Sequence, residues 1–283
     1  MKLAISFDYD SPEGFRRSFG MRDVSRDADQ RGTDLLLGVL SDHGVRVTFG
    51  VVGRAAQDGE APEHCPGQVR AIHAAGHEVA SHSMRHLFLP PLRSEELFEE
   101  ADASRRALED CIGAPVRGFI PPFNRPMHFP QRRAFSFSET LGLHGRGRGR
   151  QSVGSMLRIL GEAGYEWSRV SFEDKLARLM GISKPTQPFL YGGLTAIPLH
   201  CTGFAEAGKA LVRRSLGTDM VIALYGHPSQ ALEEREQSAG ALDRLLKTFR
   251  SERREGRLEV LTMGEVADWT RAKEGEGVRA NAG

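Results

Sequence analysis

Leu3-Ala4-Ile5-Ser6-Phe7-Asp8-Tyr9-Asp10 decides the fold. Residues 3–7 show little polar alternation and read as a strand buried on both faces, as in a parallel sheet. The run ends in two carboxylates two residues apart, so Asp8 and Asp10 share a face. A buried parallel strand seldom ends that way without a cation to meet it. The companion stretch is Gly76-His77-Glu78-Val79-Ala80-Ser81-His82-Ser83-Met84-Arg85-His86. Residues 77–81 read as a short strand that delivers a histidine pair. His82 and His86 are four residues apart, so one helical turn predicts both imidazoles on the same side of the backbone. Together with Asp10 they make a three-ligand set for a divalent metal, with a position open to water or substrate. Asp8 stands beside it to take a proton. His77 leaves the strand earlier and is expected to face structure.

A strand-then-helix rhythm runs outward from these stretches. Thr33 is expected to cap a helix with Leu36, Leu37, Val39 and Leu40 on one face, ended by Gly44. A strand over 46–52 follows, then a helix opened by Pro66 and closed by Gly76. Ser94, with Glu95 and Glu96 behind it, starts a long helix that ends at Gly113. A strand over 116–120 stops at Pro121-Pro122. Further on, 153–160 and 241–249 read as helices, and 167–172, 194–200, 220–225 and 258–261 as strands. A last helix opens at Met263. The 220–225 strand delivers Gly226-His227-Pro228. This alternation predicts parallel α/β architecture. Residues 11–32 and 181–193 read as loops. Residues 124–151 hold Arg132, Arg133, Arg146, Arg148 and Arg150 among glycines, and are expected to form a solvated insertion rather than an anion-gripping or RNA-binding segment.

The chain has 283 residues, 40% hydrophobic and 27% charged, which suits a soluble globular protein with a sizeable core. A formal net charge of +1 gives no reason to expect a polyanionic partner. No apolar run approaches the roughly 20 residues that span a bilayer. Residues 1–7 lead into a strand with no long apolar core and no small-residue cleavage site, so no secretory leader is expected. Cys65, Cys111 and Cys201 are odd in number and widely spaced, as expected of reduced thiols in the cytoplasm.

Four signals occur in order: Asp8-x-Asp10 after the first strand, His82-Ser83-x-x-His86, Pro121-Pro122-Phe123, and His227 closing a late strand. This resembles the polysaccharide deacetylase (NodB-homology) family of metal-dependent amidohydrolases, and most its cytoplasmic branch of allantoinase-like and peptidoglycan-deacetylase-like proteins. The resemblance covers residues 3–269. It implies an α/β fold, a distorted (β/α)₇ barrel in a single domain, with the barrel over 1–272 and a tail over 273–283. It implies one divalent metal, Zn²⁺ foremost with Co²⁺, Ni²⁺ or Fe²⁺ as alternatives, on Asp10, His82 and His86. Asp8 matches the catalytic base and His227 the general acid. Pro122, Phe123, Asn124, Asp174 and His200 are candidate substrate contacts. Phe119-Ile120-Pro121-Pro122-Phe123-Asn124 stands where the family has Phe-Arg-Pro-Pro-Tyr-Gly, so the arginine that orients the base is Ile120 here. A Val-Asp-x-x-Asp-Trp pattern is matched by Val170, Asp174 and, in altered form, Ser171 and Lys175; Asp174 would then face another cation, Arg125 or Lys175. The expected function is hydrolysis of a C–N amide bond, N-deacetylation of an N-acetylated sugar or sugar-containing small molecule. Rival expectations are a cyclic-amide hydrolase and a metal-retaining binding protein. No nucleic-acid or membrane partner is expected; a homo-oligomer is compatible with the sequence.

Overall fold

The computed structural model describes residues 1–12, 14, 27–60, 62–124, 151–171 and 186–280. Its strands are β1 (Lys2–Tyr9), β2 (Thr48–Val51), β3 (Glu78–Ser81), β4 (Gly118–Phe119), β5 (Trp167–Val170), β6 (Phe189–Tyr191), β7 (Leu194–Pro198), β8 (Cys201–Thr202), β9 (Val221–Gly226) and β10 (Glu259–Leu261). They form one sheet in the order β6-β7-β5-β4-β3-β2-β1-β9-β8, with β10 alongside the first half of β1. Every pairing is parallel except β6 with β7. Residues 194–202 close the sheet on itself. Their first half pairs with β5; then the His200 N–H donates to the Ala223 carbonyl (3.0 Å) and β8 pairs with β9. The result is the expected distorted barrel in a single domain.

The helices are α1 (Ala28–His43), α2 (Pro66–Ala74), α3 (Ser94–Ile112), α4 (Val153–Glu162), α5 (Glu206–Ser215), α6 (Ala239–Thr248), α7 (Arg250–Arg254) and α8 (Met263–Ala280). Along β1 the odd residues Leu3, Ile5, Phe7 and Tyr9 belong to the large core between sheet and helices. The even residues face the barrel interior, where Ala4 joins a second cluster with Ala80, Ile120, Trp167, Ile197, Val221 and Ala223. The two-residue repeat therefore aims Ser6, Asp8 and Asp10 inward without any special device. Trp167 fills the lower lumen against Gly118, where an added Cβ would lie 1.9 Å from the indole. Met263, Val266 and Ala267 of α8 cover that end of the barrel.

Several local expectations are corrected. α1 begins at Ala28, not at Thr33, which is fully buried within the helix. The reason is packing: α1 lies so close to the turn after β9 that a Cβ on Gly32 would meet the Pro228 carbonyl oxygen at 1.8 Å. β6 falls inside the expected 181–193 loop, because Gly192 and Gly193 take left-handed backbone (φ 58° and 89°) and fold it back on β7. α5 had no counterpart in the sequence reading. α8 runs from Met263 through Ala280. No helix of the described residues is long and apolar enough to cross a membrane.

Candidate metal centre and active site

The C-terminal ends of the strands carry the site, as in other α/β barrels. Asp10 follows β1, His82 and His86 follow β3, and His227 follows β9. All are at most 8% exposed. His82 Nε2 lies 3.1 Å and His86 Nε2 3.3 Å from the same Asp10 Oδ1, and their rings are 4.9 Å apart. Donor atoms of the three residues all fall within 4.8 Å of one another. His227 Nε2 stands 3.9 Å from the other Asp10 oxygen.

This donor set fits a divalent cation. The His82 Nδ1–H donates to the Ile120 carbonyl (2.7 Å), since a carbonyl can only accept. In its neutral form His82 then turns the lone pair of Nε2 toward Asp10. Burial pushes the His86 imidazole below its usual pKa, partly offset by Asp10, which favours a neutral ring there too. Two ring lone pairs and a carboxylate oxygen facing one another within hydrogen-bond distance are stabilised by a cation between them. Burial opposes ionisation of Asp10, but were the rings protonated, the charge of His86 and hydrogen bonds from both histidines would hold its carboxyl well below the ordinary range, so positive charge beside Asp10 is what keeps it ionised.

The two histidines do not converge on a helix. Residues 82–86 are irregular, and Ser83 (φ 60°) and His86 (φ 52°) turn the backbone into the left-handed region instead. Ser11 (φ 64°) and Phe123 (φ 67°) do the same, so all four positive-φ non-glycine residues among those described sit next to Asp10, His82 or the Pro122 turn. Such backbone costs about 1–3 kcal/mol per residue and persists only where its surroundings enforce it. The enforcing contacts are visible. Gly53 and Arg54 N–H groups donate to the Ser83 and Met84 carbonyls at 2.9 and 3.2 Å. The buried Glu100 of α3 accepts the Arg85 N–H at 3.1 Å and pairs with its guanidinium. Glycine is needed at 53, where a Cβ would lie 2.7 Å from Met84 Sδ and 2.9 Å from Ser104 Cα.

Asp8 stands next to this centre with an unanticipated partner. Arg169 of β5, with a side chain 1% exposed, donates from Nη1 to Asp8 Oδ1 (2.8 Å) and from Nη2 to Asp8 Oδ2 (2.5 Å). Burial works to raise the Asp8 pKa; the Arg169 charge, with His82 and His227 adding to it, outweighs burial and lowers it. The sequence places Ile120 where the family has the arginine that orients the base, and Arg125 and Lys175 were expected only as partners of Asp174. The signal passed over is an arginine between Trp167-Ser168 and Val170, inside a strand that reads as buried throughout.

His227 is held by a second unanticipated residue. Gln237 Oε1 accepts both the His227 backbone N–H (2.8 Å) and its Nδ1–H (2.9 Å), which leaves Nε2 facing Asp10. Asp29 of α1 accepts the Ser229 N–H (3.1 Å) and anchors the same turn from below. Burial first, and then the charge of Asp10, pushes the Asp29 carboxyl up to about 8.

Phe123 packs against His86 (ring centroids 5.0 Å) and Phe88 (5.5 Å), above the buried Pro122. His200 lies at the barrel seam: Nε2 donates to the Thr186 carbonyl (2.8 Å) and Nδ1 accepts the Ala223 N–H (3.1 Å). Both of its ring nitrogens are thereby engaged with backbone. His77 accepts the Val47 N–H (3.3 Å), and burial pushes its imidazole down to about 4. The Asn124 side chain, Asp174 and residues 132–150 lie outside the described residues.

Residues 3–131 match the family model described as polysaccharide deacetylase. Over 92 residues the chain is 34% identical to a chitooligosaccharide deacetylase from Sinorhizobium fredii, a stretch covering 32% of this chain and 40% of that protein. The chain spans less than half the length of the curated relatives it matches. Its fold superposes on a Mycobacterium smegmatis protein described as a polysaccharide deacetylase with a TM-score of 0.68, at 18% identity, covering 96% of this chain and 91% of that one. An allantoinase gives a TM-score of 0.63 at 14% identity, covering 94% and 89%. At these identities the structural likeness is one of fold.

Proposed function

We propose that this chain is a member of the polysaccharide deacetylase family, whose model matches residues 3–131, and that it is a metal-dependent hydrolase that removes an acetyl group from an N-acetylated sugar or sugar-containing small molecule. The observation that carries the reading is the placement of Asp8 and His227 beside one three-ligand cluster, Asp10, His82 and His86. A divalent cation held there by Asp10, His82 and His86, Zn²⁺ by the preference of that ion for imidazole and carboxylate, would supply Lewis acidity toward the amide carbonyl and would acidify a water. Asp8, ionised under the influence of Arg169, is the base that takes the proton of the attacking water. His227, when protonated at both ring nitrogens, has its Nδ1–H fixed by Gln237 and presents its Nε2–H to the leaving amine as the acid. Phe123 and Pro122 offer an apolar wall against which a sugar ring can lie.

The substrate class is supported by the Sinorhizobium relative, a chitooligosaccharide deacetylase. Three free cysteines support a reducing, cytoplasmic setting. That setting favours a soluble sugar or a nucleotide- or lipid-linked precursor over mature wall polymer. The test is to incubate metal-loaded protein with N-acetylglucosamine oligomers and follow acetate and free amine together. Both are expected in equal amounts, and both should vanish with a chelator. A protein that opens cyclic amides but releases no acetate from any N-acetylated sugar would contradict the reading.

A further inference from the structure

Arg169 is among the largest fully buried side chains of the protein, and it reaches across the barrel. β5 and β1 are not neighbours; β4, β3 and β2 lie between them along the sheet. Its guanidinium is fixed from three directions. Nη1 also donates to Ser6 Oγ (2.9 Å), two residues before Asp8 on the same face of β1, and the cation lies over the Tyr225 ring of β9 at 4.8 Å. The fork then meets both Asp8 oxygens, one nitrogen to each. A guanidinium is planar and its donors are rigid, so two parallel bonds set the plane of the carboxylate as well as its position.

A purely structural role explains this arrangement poorly. A buried ion pair is often no more stabilising than apolar side chains of similar volume, because both charges leave water. Apolar filling is what the neighbouring wall uses: Ile120 is fully buried and packs over Gly50, the β2 residue in register with Asp8, leaving 2.9 Å for a Cβ there. The same layer thus holds an aliphatic side chain just after β4 and a fixed cation on β5, and the cation is the one aimed at Asp8.

We propose that Arg169 is the positioning residue of the catalytic base. It holds the Asp8 carboxylate beside the metal ligands in one orientation, supplied from β5 across the lumen. The proposal rests on the reading of Asp8 as the base, so its test separates the two.

Arg169→Ala, Arg169→Lys and Asp8→Asn are compared with the double variant Asp8→Asn/Arg169→Ala, all metal-loaded. Arg169→Ala is expected to keep the metal stoichiometry, to lose about 10–100-fold in kcat with KM little changed, and to regain turnover when guanidinium ion is added. Adding the Arg169 change to Asp8→Asn should remove nothing more and should not be rescued. Arg169→Lys, which keeps charge and bulk and folds more safely, should recover only part of kcat, because one ammonium cannot replace a fork. Unchanged kcat in Arg169→Ala, or an equal unrescued loss in both backgrounds, would overturn the proposal. Should the wild-type protein turn over no N-acetylated sugar, the deacetylase reading fails by itself. Metal-dependent hydrolysis of a cyclic amide then serves as the readout for the same variants, with the same outcomes supporting or overturning the proposal.

Discussion

The two ends of the barrel treat an enclosed carboxylate in opposite ways. At the N-terminal end, Glu78 opens β3 and is met entirely by neutral donors. Thr48 Oγ1 and the Gly264 N–H bond one oxygen at 2.7 and 2.9 Å, and the Trp167 indole N–H bonds the other at 3.1 Å. Burial raises the Glu78 pKa, and those hydrogen bonds bring it part of the way back. At the C-terminal end, Asp8, Asp10 and Asp29 crowd together with three histidines and one arginine, on backbone turned left-handed at non-glycine residues. Glu78 ties β2, β3, β5 and α8 into one unit, where each acceptor has a donor. The upper acidic cluster has acceptors facing acceptors, which is unfavourable until a cation arrives. The lower end is organised for stability and the upper end for chemistry.

The comparison can be broken first at Asp8. Asp8→Asn should lower turnover of an N-acetylated sugar by about 10²–10⁴-fold, the usual contribution of a general base. Metal content and melting temperature should be retained. A variant of equal activity would return Asp8 to the structural side of the comparison.

At the lower end the effect should fall on stability alone. Glu78→Ala strands the Thr48 hydroxyl, the Trp167 N–H and the Gly264 N–H, and should destabilise the protein by about 3 kcal/mol in denaturant titration. Metal stoichiometry should be unchanged. Loss of metal in this variant would mean that the two ends are not separable.

A smaller effect is expected at Gln237. Gln237→Leu removes the acceptor that fixes the His227 tautomer, and kcat should fall about tenfold while bound metal stays in place. Equal loss of kcat and metal would instead place Gln237 in support of the ligand cluster.

The smallest effect concerns Asp29 and needs its sign stated. With the folded-state carboxyl pushed up to about 8 and the unfolded one near the usual 3.8, the native protein binds the extra proton between those values. Stability of the metal-free protein should therefore fall as pH rises from about 4 to about 8. Asp29→Asn keeps an oxygen for the Ser229 N–H and has no proton to lose, so its thermal stability should fall less over that window. An unchanged pH slope would show that Asp29 is solvated in solution.

The contrast also marks what was legible in the sequence. The inward face of β1 follows from a two-residue repeat, so Asp8 and Asp10 could be placed from sequence alone, and His82 and His86 could be paired with them. The means of pairing could not. Four-residue spacing suggested a helical turn, whereas the rings converge through left-handed backbone at Ser83 and His86, held by Gly53, Arg54 and Glu100 contributed from elsewhere. Arg169 was hidden for a related reason. An arginine in a strand carries no local sign of pointing into a lumen, and its partner lies 161 residues away. Gln237 sits in a polar stretch where glutamine usually means only solvent. α5 was hidden by its composition, since Glu206, Lys209, Arg213 and Arg214 leave only a narrow buried stripe at Gly208, Val212 and Ser215.

The central claim is that the upper end of the barrel is built around a cation, and metal content tests it most directly. Elemental analysis of the purified protein should find about one divalent metal per chain, with none in His82→Ala. Metal-free wild-type protein that takes up no Zn²⁺, Co²⁺ or Ni²⁺ on incubation would contradict the account, and the facing acceptors of Asp10, His82 and His86 would then need another explanation.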